Sequence, residues 1–203
     1  MARWQPGARE RLSQAAMELF LEQGYDRTSV TEIAQRAGLT KRTFFRYFGD
    51  KREVIFAERD LLGDAMTAAI AAAPAGTTAW QTALLAVEAV AEIFPDERRA
   101  FVRTRGAAVG SAPELLERDL LKRQALTDRV TDAVRRRGIP ASSAVTVATL
   151  TVLCLRNSLA AWATGDSDFG AAARKQHRQL SDLLADGLTQ PLPSSPSAPD
   201  IKE

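Results

Sequence analysis

The 203-residue chain is 45% apolar and 26% charged, with a formal net charge of only +2. That is enough for a sizeable core and too near neutral for a general basic coat on nucleic acid. One cysteine, Cys154, and one histidine, His177, exclude an internal disulfide framework and a cysteine-rich zinc site. Met1 to Pro6 lacks the apolar core of a secretory signal. The longest apolar stretch, Ala144 to Ala163, is interrupted by Thr146, Thr149, Thr151, Arg156, Asn157 and Ser158, which points to a buried helix rather than a membrane span. A cytoplasmic protein is expected, with no metal and no cofactor.

Helical punctuation recurs along the chain without a credible alternating strand, so the fold class is all-α. The first helix is predicted from about Ala8 to Gln23, with Leu12, Ala15, Ala16, Leu19 and Phe20 inward and Gly24 as its stop. Ser29 and Glu32 fit a capping box for the next, which buries Ile33 and Ala34 and ends at a left-handed Gly38. Thr40 caps a very short helix, Lys41 to about Tyr47. Asp50 and Glu53 form another capping box, opening a helix from Lys51 to about Ala73. A short helix beginning Thr-Lys-Arg-Thr, set at an angle by a glycine turn, is the geometry that enters a DNA major groove. Such corners also occur in many α proteins, and a basic short helix is often a solvated face. The crowding of Arg36, Lys41, Arg42, Arg46, Lys51 and Arg52 favours DNA, because phosphate neutralisation dominates DNA affinity.

Beyond Pro74 a helix is predicted from about Thr78 to Ile93, and another from Pro95-Asp96 to about Val109. Ser111-Ala-Pro-Glu114 reads as a third capping box for a helix reaching Arg137, stopped by Gly138. The stretch from about Ser142 to Thr164 is apolar on nearly every side, and a helix apolar all round must be buried all round. One side can cover the subunit core; the other calls for a second subunit. A last helix, about Asp168 to Asp186, would complete that interface, with Leu155, Leu159, Trp162, Gln176, Leu180 and Leu183 as the contact candidates. From Thr189 onward proline and serine alternate, a composition expected to stay disordered. The resulting division is 1–56, 57–188 and a 189–203 tail.

The segment from Arg9 to Phe56 resembles the TetR-type family of bacterial one-component transcriptional regulators. The likeness is carried by Leu-Phe-Leu-Glu-Gln-Gly-Tyr at 19–25, Thr-Ser-Val-Thr-Glu-Ile-Ala-Gln-Arg-Ala-Gly-Leu-Thr-Lys at 28–41 and Thr-Phe-Phe-Arg-Tyr-Phe-Gly-Asp-Lys-Arg-Glu-Val at 43–54. The Lys-Arg-Thr-Phe-Phe-Arg-Tyr-Phe string is similar to the branch containing mycofactocin-type regulators. The resemblance implies about nine helices, with an N-terminal DNA-binding domain and a helical ligand-binding and dimerisation domain. It also implies a homodimer through the last two helices, a palindromic double-stranded DNA operator and a small-molecule effector that releases the DNA. Carried over by position, Lys41, Arg42, Phe45 and Thr31 would approach bases; Ser29, Thr43, Tyr47, Lys51 and Arg46 would approach phosphates. Many members have Gly at the position of Arg42 and Tyr at that of Phe45. Arg42 can contact guanine O6 and N7 together, and Phe45 can cover a thymine methyl.

The implied effector cavity would lie among the middle helices. Met66, Ile70, Trp80 and Leu84 are candidates from the first half of that region, and Phe101, Arg105, Leu116 and Leu120 from the next. Leu153, Cys154 and Asn157 are candidates from the all-round apolar helix. Each fits ordinary core as well. An Arg in an apolar cluster, such as Arg103, Arg105 or Arg156, can seat a carboxylate or phosphate, or can pair with Glu88 or Glu92. Other readings are an activator or a ligand-independent DNA binder of the same fold, and, further off, a helical enzyme or interaction module. An enzyme would need converging groups, and His177, Cys154, Glu88 and Glu92 lie on separate predicted helices.

Overall fold

Glycines, prolines and side-chain caps divide the chain into helices, and the computed structural model describes residues 7–56 and 59–187. The readings placed on Met1 to Pro6 and on the tail lie outside the described residues. Among those residues the helices are α1 (Ala8–Gln23), α2 (Val30–Arg36), α3 (Lys41–Tyr47), α4 (Arg59–Ala72), α5 (Ala79–Glu88), α6 (Arg99–Ser111), α7 (Pro113–Arg136), α8 (Ala141–Thr164) and α9 (Phe169–Asp182), with no strand. Ser29 Oγ accepts from the Glu32 amide at 3.2 Å while the Glu32 carboxylate accepts from the Ser29 amide at 2.8 Å, so the first capping box is complete. Gly38 turns the chain at φ +66°, a conformation that favours glycine. Thr78 with Gln81 forms a further capping box at α5.

Three predicted elements are corrected. Asp50 accepts from the Glu53 amide, but the Glu53 carboxylate turns away to Arg118 and Lys122 of α7. The helix expected from Lys51 opens instead as a 3₁₀ turn, Glu53–Phe56, and α4 starts at Arg59. Val54, Ile55 and Phe56 are all buried; three consecutive side chains exceed the single face a surface α-helix can bury. Ser111 caps nothing, because it is the last residue of α6, its hydroxyl donates to the Ala108 carbonyl, and a single residue, Ala112, separates α6 from α7. Finally, α5 stops at Glu88, and two 3₁₀ turns carry the chain to α6.

The helices enclose two apolar clusters. One joins α4, α5, α7, α8 and α9 around Met66, Ile70, Val130, Leu155 and Trp162. The other joins α1, α2, α3 and the 3₁₀ turn, and it is completed by Ala108, Val109, Ala112 and Leu115 from the α6–α7 corner. The chain boundary near residue 56 is therefore not a packing boundary.

At 24 residues, with a mean hydropathy of 1.5 over its most apolar 18-residue stretch, α8 is long and apolar enough to cross a bilayer, yet it packs against α5, α6, α7 and α9. Only 39% of its most apolar stretch is buried within the subunit. Leu155 and Trp162, expected at a subunit interface, are in the subunit interior. Trp162 forms an aromatic triangle with Phe94 and Phe169, and its indole N–H donates to Asp96 at 3.2 Å. Trp162→Ala should cost about 3–5 kcal/mol, the range for emptying a buried aromatic site. Urea unfolding followed by circular dichroism checks this, and a loss below about 1 kcal/mol would place the side chain outside the core.

Candidate nucleic-acid interface and cavity

Two aromatic residues hold α3 in place. Phe44 and Phe48 are buried with ring centroids 5.4 Å apart, and Thr40 caps the helix by accepting from the Thr43 amide at 3.1 Å. With that inner face fixed, helical spacing leaves Lys41, Arg42, Phe45, Arg46 and Tyr47 exposed. The Lys41 ammonium lies 6.0 Å from the Phe45 ring centre, and the Arg46 guanidinium lies 5.0 Å from that of Tyr47. Ser29 and Thr31 are exposed at the amino end of α2, the end whose dipole favours an anionic phosphate.

The six cations counted in the sequence divide in two. Arg36 is held bidentately by Glu22 at 2.7 and 2.9 Å and lies 3.5 Å from Glu18, tying α2 to α1. Arg52 pairs with Asp50 at 2.7 Å. Lys51 donates to the Tyr25 carbonyl at 2.8 Å and the Thr28 carbonyl at 3.0 Å, and its ammonium stands 3.9 Å from the Tyr25 ring centre. Burial pushes its pKa down. Lys51 thus braces the α1–α2 loop, leaving at most one of its three N–H donors for a phosphate. The uncommitted positive charge is on α3.

The open cavity, about 380 Å³, lies between α6, α7 and α8. Of the sequence candidates, Arg103, Arg105 and Arg156 line it, and Phe101 lines a narrow adjoining crevice. Met66, Ile70 and Cys154 are packed in the core, and Leu84 packs half-buried against it. Burial pushes the Cys154 thiol up, the wrong direction for a nucleophile. Trp80 stacks on His177 with centroids 4.4 Å apart and donates to Ser181, clamping α5 to α9. Leu116 and Leu120 are exposed on α7, while Leu153 and Asn157 are half-buried on α8 without lining the cavity. Glu88 pairs with Arg174. The residues missed are Asp119 and Arg123, which line the cavity with Arg103, Arg105 and Arg156. Their i,i+4 spacing on α7 reads as an ordinary solvated pair.

Among the interface candidates, Leu159, Gln176 and Leu180 are half-buried and Leu183 is exposed. Val145, Thr149, Arg156 and Ala160 share an exposed stripe of α8.

Comparisons with known proteins agree with this geometry. Residues 12–57 match the family model for bacterial regulatory proteins of the tetR family. Over 82 residues the chain is 40% identical to the HTH-type transcriptional regulator TcmR of Streptomyces glaucescens, covering 40% of this chain and 36% of that one. Over 43 residues it is 42% identical to MftR of Mycobacterium tuberculosis (strain ATCC 25618 / H37Rv), a name tied to mycofactocin biosynthesis, covering 21% and 22% of the two chains. The chain therefore spans little more than a third of the first relative and under a quarter of the second. Among solved structures, a complex of SmeT with triclosan superposes with a TM-score of 0.60 at 20% identity, covering 95% of this chain and 99% of that one; that likeness shows the fold.

The division of cations has a direct consequence for stability. Lys51→Ala should lower unfolding free energy by about 1–3 kcal/mol, because two carbonyls lose a charged donor. Arg42→Ala should leave it within about 0.5 kcal/mol. Paired denaturant titrations decide this, and an equal effect of both substitutions would show Lys51 to be as free as Arg42.

Proposed function

We propose that this chain, whose residues 12–57 match the tetR-family model, is a cytoplasmic transcriptional regulator with a TetR-type DNA-binding domain in its N-terminal helices. It binds a palindromic operator as a homodimer and represses until a small molecule releases it. The observation that carries the reading is α3: Phe44 and Phe48 lock its inner face while Lys41, Arg42 and Phe45 point outward. In this reading Lys41, Arg42, Phe45 and Thr31 read base edges, whereas Ser29, Thr43, Tyr47 and Arg46, with the remaining donor of Lys51, hold phosphates. The exposed stripe of α8, together with Leu183 on the turn after α9, supports a second copy as the cover. Two-fold symmetry then sets the two recognition helices one helical turn of DNA apart, about 34–36 Å, or a multiple of it. The likeness in fold to SmeT, solved with triclosan, and the cavity beside the DNA-binding head support release by a ligand.

Selection from a random double-stranded pool tests this. An inverted repeat should be enriched, and Arg42→Ala should cost about 1–3 kcal/mol per half-site while relaxing preference at one base pair. A pool with no enriched repeat overturns the reading.

A further inference from the structure

The cavity between α6, α7 and α8 has an apolar floor, formed by Val102, Val109, Val152, Leu155 and Leu159. Among the described residues its charged lining is unbalanced, with Arg103, Arg105, Arg123 and Arg156 against one carboxylate, Asp119. Asp119 lies 2.7 Å from Arg105 Nη2 and 2.9 Å from Arg123 Nε, with side chains only 11–22% exposed. A carboxylate shared by two sheltered guanidiniums leaves one positive charge uncompensated, and charge removed from water is costly until paired. Guanidinium forks match the planar geometry of carboxylate and phosphate.

Arg105 also reaches the DNA-binding head. Its Nε donates to the Ile55 carbonyl at 3.2 Å, and its guanidinium lies 5.2 Å from the Phe56 ring centre. The narrow crevice beside the cavity shares Val102, Arg105 and Leu159 with it and ends on Ile55 and Phe56. One side chain thus forms a wall of the cavity and holds the 3₁₀ turn behind α1.

We propose that this cavity takes an amphipathic anion, a carboxylate or phosphate head on an apolar body, and that Arg105 passes its arrival to the DNA-binding head. This deepens the effector-responsive reading above. The anion head competes with Asp119 for Arg123 and Arg105. As Arg105 turns toward it, the Ile55 carbonyl loses its donor and the 3₁₀ turn loosens. Arg105 is in this sense a positioning residue.

The test uses the full chain without DNA. Decanoate, decyl phosphate and 1-decanol are titrated calorimetrically, all carrying the same ten-carbon chain. At least one anion should bind ten times more tightly than the alcohol, and the better of the two identifies the head group. Arg123→Gln should weaken that anion at least tenfold, with partial recovery in Arg123→Lys. Asp119→Asn should tighten it severalfold, an effect that competition predicts and a scaffold role does not. Hydrogen exchange at residues 53–56 should accelerate on anion binding, and in Arg105→Gln it should start fast and cease to respond. The anion site is overturned if decanol matches both anions or if none of the three binds the wild-type chain. The coupling is overturned if an anion binds and exchange at residues 53–56 stays unchanged. No readout here contains DNA, so failure of the operator selection and failure of the anion site are separate results.

Discussion

The α6–α7 corner is the constraint on which both halves of the molecule depend. Ala108, Val109, Ala112 and Leu115 pack into the same cluster as Leu12, Ile33, Phe44 and Val54. With one residue between the two helices, the corner has little freedom to move one arm alone. Three polar ties run beside this apolar contact: Glu53 to Arg118 and Lys122, Arg105 to the Ile55 carbonyl, and Asp119 to Arg105. Tyr25 adds to the seam, its phenol pushed up by burial and by Glu114 of α7. A three-helix head of this size has little interior of its own and is at best marginally stable alone. Borrowing the corner closes its core and also makes its position depend on α6 and α7.

That dependence gives the cavity a mechanical route to the three N-terminal helices. The walls of the cavity are the same α6 and α7, and packed interiors shift between discrete arrangements more readily than they deform smoothly. A ligand moves such an equilibrium only by preferring one arrangement. For a ligand in the proposed site, buried charge would supply that preference, because burial holds the Arg105 guanidinium below its usual range despite Asp119. An apolar ligand without a charged head would fill volume and leave that imbalance untouched.

Local chemistry made much of this legible. Ser29 with Glu32, Gly38, Thr40, Pro113 and Gly138 each act on backbone within a few residues, so the helices around them can be read one at a time. Helix α3 was legible for the same reason, since Phe44 and Phe48 define an inner face and helical spacing defines the outer one. What escaped was long-range. Nothing near Lys51 announces that the Tyr25 and Thr28 carbonyls, more than twenty residues earlier, will claim its ammonium. Glu53 fits a capping box by spacing, yet Arg118 and Lys122 outcompete the local amide. Trp80 and Trp162 look like cavity or interface residues by size, and partners on distant helices turn them into clamp and core. The cavity was misplaced because Met66 and Ile70 do face inward, but onto a filled core.

The three N-terminal helices and the α6–α7 corner share one apolar cluster and should therefore behave as one cooperative unit. Native-state hydrogen exchange on the full chain carrying Leu115→Ala measures it directly, since Leu115 is fully buried on α7 and belongs to the head's cluster. The account predicts that amides of α1 lose about 2–5 kcal/mol of protection, in step with those of the corner. Unchanged protection in α1, with loss confined to α6 and α7, would contradict it.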